Sequence, residues 1–344
     1  MKKLISLLLV LTLSLSLAAC GTAEPTEPTA GENQVLDGAG RVLDIPAEPE
    51  KATIASAYAV AVPFIEALGL GERVLAINVK SNFWKEADPY LAKATSVGRG
   101  TVDMEALATV SPSVLVHRSN DEQTIAAAQR INVPVLCITV EDMDDITATL
   151  TMMGRYFGAE ARAEEVIAWM NAKFQMIDEI VSQIPASQRK TVLVLGGEVG
   201  RIAADDMLQA WMAEKAGGIY VAKNTANNRN WVNVGVEQIF TWNPQVIFAT
   251  SSTPLEYTIQ ELMAEDAWSA MEAVRQEQFY QIPAKLDSWD IPGVSCVLGT
   301  MYMLHKMYPE YFSREQLEQE VTQYYLFMFG KTFEADYLGY DLSK

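Results

Sequence analysis

The sequence predicts an α/β protein of two lobes, each built on a parallel sheet and joined by one long helix. Short β-rich runs alternate with helical runs from Lys51 to Val140, and the alternation starts again at Lys190. Between them, apolar residues recur three or four apart without Gly or Pro, and a short internal repeat relates the two lobes. These observations divide the chain into an N-terminal lobe (35–142), a connecting helical segment (143–185) and a C-terminal lobe (186–344).

The two lobes follow the same alternation of strand and helix, which favours parallel sheets. The predicted strands are Ala52–Ala57, Val74–Val79, Ser113–Val116 and Val133–Val140 in the first lobe, and Thr191–Leu195, Gln245–Ala249 and Phe279–Ile282 in the second. The predicted helices are Val60–Leu68, Thr124–Ile131, Asp206–Ala216, Val294–Met307 and Arg314–Phe329.

The connecting helix is predicted from Glu160 to Ile184, about 37 Å at the usual rise per residue. That length would let the helix pass along both lobes as a rigid spine. An ordinary core helix of a single domain is the alternative, although helices in globular proteins usually run roughly 8 to 20 residues.

The internal repeat aligns residues 104–116 with residues 236–248, and Glu, Thr, Pro and Val coincide. In each copy a Glu, Glu105 or Glu237, opens a short helix seven residues before a Pro that starts a strand. The helix dipole favours an acid there, so capping is one interpretation of both residues. Docking to a partner at two equivalent exposed points is the other.

The N-terminus has the pattern of a bacterial lipoprotein signal over residues 1–19. Lys2 and Lys3 precede an apolar run too short to span a membrane, and small residues precede Cys20. We expect Cys20 to carry lipid and anchor the protein to the membrane, and residues 20–34 to form a flexible tether. A buried N-terminal helix with an incidental Cys is the alternative.

The composition excludes several classes of protein. With 26 Lys and Arg against 44 Asp and Glu, the net charge of −18 argues against a nucleic-acid binder. Three Cys and two His are too few for zinc clusters or a disulfide scaffold, so Cys137 and Cys296 are predicted to be free thiols and His305 a packed residue. The motifs of nucleophile elbows, phosphate loops and zinc proteases are absent, which indicates a protein that is not an enzyme.

Ligands of open α/β sheets bind beyond the carboxyl ends of the strands, and cations and tryptophans gather there in the predicted fold. The candidate ligand contacts are Tyr58, Lys80, Trp84, Arg99, His117, Arg118, Arg201, Trp231, Ser251, Lys285 and Trp289. In a strongly acidic protein, such a set suggests an anionic ligand with flat or aromatic faces. Taken singly, each cation could equally be a solvated loop charge.

Several motifs in order resemble one protein family over nearly all of residues 41–340. They are the lipobox, Ala-Leu-Gly-Leu-Gly-Glu-Arg-Val at 67–74, Val97-Gly98 before Glu105, Ala216-Gly217-Gly218, Val236-Glu237-Gln238 with Asn243-Pro244, Trp289-Asp290-Ile291-Pro292 and Tyr308-Pro309-Glu310. The chain resembles the substrate-binding lipoproteins of ABC importers for iron-siderophores, haem, cobalamin and related compounds.

The resemblance implies two Rossmann-like lobes joined by one long rigid helix, with the ligand in the cleft between them. It implies an extracytoplasmic monomer, on the cell surface or in the periplasm, with an ABC permease and its ATPase as partners. Glu105 and Glu237 occupy the positions of acids that pair with permease arginines in relatives. Lys80, Arg99, Arg118 and Trp289 fall where relatives contact ligand. Relatives often carry an aromatic residue at the Lys80 or Arg99 position, and the basic residues here favour an anionic iron(III) complex, a siderophore.

Other ligands and functions remain open from the sequence. Cobalamin, haem, molybdate and tungstate are alternatives within the same transport role. A chelate-processing enzyme and a direct zinc or manganese receptor are weaker alternatives, because no acid–base pair lies beside a reactive His and the two His are far apart. No resident cofactor or metal is expected.

Overall fold

The computed structural model describes residues 29–79, 81–283 and 288–333. Its strands are β1 (Gln34–Leu36), β2 (Val42–Asp44), β3 (Ile54–Ser56), β4 (Val74–Ile77), β5 (Thr95–Ser96), β6 (Gly98–Arg99), β7 (Thr101–Val102), β8 (Val114–Arg118), β9 (Val135–Ile138), β10 (Thr191–Leu195), β11 (Arg201–Ile202), β12 (Ile219–Tyr220), β13 (Val232–Asn233), β14 (Val246–Ala249) and β15 (Phe279–Gln281).

Helices connect these strands. They are α1 (Ala61–Ala67), α2 (Asn82–Ala87), α3 (Met104–Val110), α4 (Glu122–Arg130), α5 (Met143–Phe157), α6 (Glu160–Val181), α7 (Leu208–Lys215), α8 (Val236–Trp242), α9 (Ile259–Ala264), α10 (Asp266–Ser269), α11 (Glu272–Arg275), α12 (Cys296–Met307) and α13 (Arg314–Phe329). Single 3-10 turns lie at Pro49–Lys51, Gly71–Arg73, Leu91–Lys93 and Ala186–Gln188.

Each lobe contains one sheet whose central strands are parallel. The first sheet has the order β5-β4-β3-β8-β9, and every neighbouring pair in it is parallel. In the second sheet β10 lies beside β14 and β14 beside β15, all parallel, while β11 and β13 add an antiparallel extension. The central strand β3 and the inner strand β14 are buried at every position, as expected for sheets covered on both faces. The predicted α/β fold of two lobes is confirmed.

The predicted spine helix is α6, which ends at Val181 rather than Ile184. Its 22 residues correspond to about 33 Å. It packs on α5 beside the first sheet and on α7 and α12 beside the second. The last turn gives way to bent chain because Ile184 precedes Pro185, and a residue before proline is disfavoured in the helical region.

The last helix, α13, packs on α12 and also returns to α1 of the first lobe. The Arg162 side chain of α6 joins the same region by donating to the carbonyls of Ala67 (2.9 Å) and Phe327 (2.8 Å). One continuous set of buried apolar side chains therefore runs through both lobes and the helices between them.

The first strand begins before the predicted end of the tether. Gln34, expected to be the last tether residue, starts β1 and pairs with Asp44 of β2. The hairpin of β1 and β2 is stabilised because Val35 is buried and Asp37 forms an ion pair with Arg41 (2.6 Å). The signal segment, Cys20 and most of the tether lie outside the described residues.

The remaining predictions about sulfur and histidine are confirmed. Cys137 and Cys296 are free and buried, and burial raises the pKa of each thiol to about 12. His305 is buried in α12, with its Nδ1 3.0 Å from the carbonyl of Phe312. Within the described ranges no helix is long and apolar enough to cross a membrane.

Candidate functional site

Three side chains of the first lobe follow adjacent strands of its sheet at their carboxyl ends. Tyr58 follows β3, Arg118 ends β8 and Glu141 follows β9. The pKa of Tyr58 is raised to about 12. Burial is the main cause and the charge of Glu141 adds to it, whereas the charge of Arg118 opposes the rise. Arg118 remains 45% exposed, so this edge offers a cation and a phenol to a ligand.

His117 lies beneath the same edge, with its ring centroid 6.3 Å from that of Tyr58, and its burial corrects its assignment as a ligand contact. The side chain is fully buried and its Nε2 lies 3.0 Å from Asp121 Oδ2. Burial lowers the pKa of the imidazole, and the hydrogen bond to His117 is the main cause of the lowered pKa of Asp121. Asp121 also caps α4 by accepting from the Thr124 amide (3.1 Å). His117 therefore supports the loop after Arg118.

The second lobe contributes a face around the end of β10. A Cβ added to Gly196 would lie 3.0 Å from the Trp231 ring and 3.2 Å from the Arg201 carbonyl oxygen, so any other residue here would require these neighbours to shift by a few tenths of an ångström. Tyr257 donates its hydroxyl to the Gly196 carbonyl (3.0 Å). Arg201 pairs with Glu198 (3.1 Å) and is partly exposed. Trp231 is half-buried, which leaves part of its ring available.

Ser251 has a supporting role rather than a free hydroxyl, which is a second correction. Its Oγ and backbone amide donate to Asp290 Oδ1 (2.6 and 3.0 Å), and Ser288 Oγ donates to the same oxygen (3.0 Å). Thr250 donates to the other carboxylate oxygen. Asp290 is fully buried; burial raises its pKa and these hydrogen bonds oppose the rise. The network therefore secures the chain around 288–290 to the end of β14.

Two of the three tryptophans expected to cover a ligand lie in the core instead. Trp84 packs against Phe83 and Phe329, with ring centroids 4.7 and 5.2 Å away. Trp289 is 0% exposed and donates its Nε1 to the Tyr325 hydroxyl (3.3 Å). Their aromatic partners come from α2 and α13, and burial of these large rings outweighs exposure at the sheet edge. Neither ring is presented to a ligand in this structure.

The other candidates are placed as follows. Arg99 lies on the hairpin of β6 and β7 beyond the end of β5, and is exposed. Lys80 and Lys285 lie outside the described residues.

The two repeat copies have the same local geometry. α3 and α8 each have seven residues, and each ends in a residue with left-handed backbone, Ser111 at φ 48° and Asn243 at φ 43°. A threonine hydroxyl four residues on donates to the Glu105 carbonyl in one copy and the Glu237 carbonyl in the other, at 2.8 Å in both. Both glutamates are exposed. Each lobe thus presents one carboxylate from the same structural position.

Sequence reasoning missed an ionic contact between the lobes. Arg229, in the loop before β13, pairs with Asp142 (2.8 Å) and Asp145 (3.3 Å) at the start of α5. The acidic run beginning at Glu141 could have indicated a contact with a cation, but such a run is equally typical of the start of a helix. Only the assembled fold shows that a cation from the other lobe faces it.

A cavity of about 960 Å³ lies elsewhere. It follows the outer edge of β15 and is bordered by Tyr280, Tyr302 and Lys306. Arg118, Arg201 and Trp231 lie at the strand ends instead, and none of them lines this cavity. Among the described residues no cluster of three or more His, Cys, Asp or Glu could hold a metal ion.

Comparison with known proteins identifies similar sequences and a similar fold. The chain is 23% identical over 320 residues to an uncharacterised ABC transporter substrate-binding lipoprotein, YvrC, of Bacillus subtilis, covering 88% of this chain and 96% of that protein. It is 23% identical over 261 residues to the molybdate-binding protein MolA of Haemophilus influenzae, covering 69% and 72%. A periplasmic solute-binding protein structure from Veillonella parvula superposes with a TM-score of 0.74 at 20% identity, covering 89% and 95%.

A sequence model of one family, described as periplasmic binding protein, matches residues 54–286, which is more than half of the chain. The resemblance drawn from the sequence motifs is thereby confirmed, and the chain belongs to the periplasmic binding protein family.

Proposed function

We propose that the protein is the extracytoplasmic substrate-binding component of an ABC importer and captures an anionic ligand, an iron(III) siderophore complex first of all. The observation that carries this proposal is that a chain with a net charge of −18 has Arg118 at the end of β8 in one lobe, and Arg201 and Trp231 beside the end of β10 in the other. Arginine forks bind carboxylate, catecholate and oxyanion oxygens through charge-assisted hydrogen bonds. The ligand would be cargo, and no reaction is proposed.

An oxyanion such as molybdate is the second candidate, and one structural observation favours it. Burial of Trp84 and Trp289 removes two of the three aromatic faces that a large flat chelate would use. A compact anion needs hydrogen-bond donors rather than such faces. The similarity to a protein named for molybdate binding supports the same candidate.

Ligand titration of the purified protein tests both candidates. Quenching of tryptophan fluorescence is followed with ferric catecholate, ferric hydroxamate, molybdate, haem and cobalamin. We expect saturable quenching by one anion, loss of at least tenfold in affinity in the Arg118→Ala/Arg201→Ala variant, and loss of most of the quenching in Trp231→Phe. Arg314→Ala, which removes a cation that pairs with Glu318 in α13, is the matched control. Unchanged affinity in the double variant would exclude the proposed ligand contacts, and saturable turnover of a chelate would exclude a purely binding role.

Glu105 and Glu237 are proposed to dock the permease, with one carboxylate from each lobe. The support is their exposed and matched positions on α3 and α8. Replacing both by Lys should abolish ligand uptake by cells while ligand affinity in solution stays unchanged. Replacing Glu261 and Glu272, which are acids in other helices of the second lobe, is the control. Normal uptake in the Glu105→Lys/Glu237→Lys variant would rule out this docking role.

Membrane attachment through lipid on Cys20 is also proposed, on the signal pattern of residues 1–19. The Cys20→Ala variant should lose incorporation of labelled fatty acid and leave the membrane fraction. Retention of label in that variant would refute the assignment.

A further inference from the structure

The contact between Arg229 and α5 crosses from one lobe to the other. The guanidinium lies 2.8 Å from Asp142 Oδ2 and 3.3 Å from Asp145 Oδ2, so one side chain bridges two carboxylates. Asp142 is the N-cap of α5 and accepts from the Asp145 amide through its other oxygen. Arg229 therefore binds a carboxylate pair that is already fixed by the helix start.

The loop that carries Arg229, residues 224–231, is here called the strap. Asp206 holds its middle by accepting from the amides of Asn227 (3.2 Å) and Arg229 (2.9 Å), and Asp205 accepts from the Asn224 amide (2.7 Å). Asn228 and Arg229 have φ angles of 51° and 58°. A left-handed backbone is tolerated by Asn but unfavourable for Arg, so the surrounding contacts must hold Arg229 in that conformation. The strap is thus built to direct this side chain toward the other lobe.

The acids that face Arg229 repel one another. Burial is the main cause of the raised pKa values of Glu141 and Asp145, neighbouring carboxylates raise both further, and Arg229 opposes both shifts. Glu141 also acts on Tyr58 at the strand ends of the first lobe. At the other end of the strap, Trp231 packs over Gly196. The contact thus lies between the two faces assigned to the ligand.

We propose that Arg229 is a positioning residue of the cleft: its ion pairs with Asp142 and Asp145 latch the strap to the first lobe, and so set the gap between the lobes and hold Trp231 at its edge. The inference rests on the proposed function only in treating this gap as the ligand cleft. It does not depend on which anion is bound. Because the pairs are partly exposed, salt should weaken the latch.

Spin labels on each lobe test the latch without any ligand. Thr109→Cys and Thr241→Cys place labels at exposed equivalent positions of α3 and α8, and the native Cys137 and Cys296 are buried. With Arg229 intact we expect a narrow distribution of the distance between the two labels at low salt. The distribution should broaden in 0.5 M NaCl, where the Debye length is only about a few ångströms. Arg229→Ala should be broad at both salt concentrations. Emission from Trp231, isolated by difference with Trp231→Phe, should shift to the red in the same variant.

Removing the partner charges gives an independent check. Asp142→Asn keeps a side chain that can cap the helix. The Asp142→Asn/Asp145→Asn variant should broaden the distance distribution as Arg229→Ala does. Adding Arg229→Ala to that double variant should cause no further broadening. Arg314→Ala is the control and should leave the distribution unchanged. A distance distribution in Arg229→Ala equal to that of the unmodified protein, or effects that simply add in the triple variant, would overturn the latch. Those outcomes would leave the ligand proposal untouched, because no ligand is present.

Discussion

Among the contacts that join the lobes, an aromatic seam and the strap depend on different kinds of interaction. The aromatic seam, made of Phe83, Trp84, Trp289, Tyr325 and Phe329, buries large rings from both parts of the chain. The strap reaches across through one arginine whose side chain is 43% exposed. Burial of apolar area is strong and insensitive to salt, whereas exposed ion pairs contribute about 0–1 kcal/mol and are screened. The comparison teaches that the seam holds the lobes together and the strap adjusts their spacing.

The largest expected effect comes from breaking the seam. Trp289→Ala should lower the free energy of unfolding by about 3–5 kcal/mol, because it leaves a cavity in a fully buried site and removes the partner of the Tyr325 hydroxyl. Urea denaturation followed by circular dichroism measures it. Trp242→Ala, at a half-buried position in α8, is the control and should cost less. A loss below about 1 kcal/mol for Trp289→Ala would contradict the role of the seam.

A second prediction concerns a carboxyl group close to the seam. Glu66 of α1 is 8% exposed, and burial together with Asp88 raises its pKa to about 8, while Lys331 opposes the rise. The folded state therefore holds a proton that the unfolded state releases above its ordinary pKa of 4.5. Stability should fall as pH rises from about 4.5 to about 8 and then level off, by at most about 1.4 kcal/mol per pH unit.

Urea denaturation at several pH values checks this sign. Glu66→Gln should remove most of the slope and be more stable than the unmodified protein at pH 8. Glu261→Gln, an acid of α9 that is far more exposed, should leave the slope unchanged. A slope that persists in Glu66→Gln would assign the pH dependence to other groups.

Arg162 gives a third, smaller effect at the junction of α1, α6 and α13. Arg162→Ala should cost about 2 kcal/mol, because two carbonyls lose a charged donor and the Phe327 ring loses a cation 4.4 Å from its centroid. A lysine ammonium cannot donate to both carbonyls as the planar guanidinium does. The stability of Arg162→Lys should therefore lie between those of Arg162→Ala and the unmodified protein. Thermal unfolding measures both variants, and equal stability of Arg162→Ala and the unmodified protein would show that the junction does not depend on this side chain.

The smallest effect on stability is expected at the strap. Arg229→Ala should change the free energy of unfolding by less than about 1 kcal/mol, as is usual for exposed pairs. The same variant is expected to change the distance between the lobes strongly. Its effect on lobe spacing should therefore be large although its effect on the free energy of unfolding is small. If urea denaturation instead showed a loss comparable to that of Trp289→Ala, the strap and the seam would share one structural role.

Much of the fold was predictable because it is encoded locally. The run Thr191–Leu195 was predicted to be a strand with the bounds that the structure gives β10, and Arg314–Phe329 matches α13. In the latter, Ser313 and Gln316 form a capping box and Gly330 ends the helix, so both signals lie within a few residues of the ends. The repeat likewise placed Glu105 and Glu237 at equivalent points because each helix ends at a left-handed residue before Pro.

The candidate site was less predictable, since position after a strand does not state which way a side chain turns. Arg118 and His117 are neighbours in β8, yet Arg118, the last residue of the strand, is exposed, whereas His117 and the three residues before it are buried. Trp84 and Trp289 follow predicted strands within a few residues, but each also contacts a ring of α13, Phe329 or Tyr325, which is more than 30 positions away.

The sequence by itself determined the alternation of strands and helices, the spine helix, the free thiols and the acidic surface, because periodicity, capping and composition act over short stretches of chain. Only the tertiary structure decided which aromatic rings enter the core and that Arg229 faces Asp142 and Asp145. Those outcomes depend on contacts between segments far apart in sequence, where burial and charge pairing are settled by the assembled lobes.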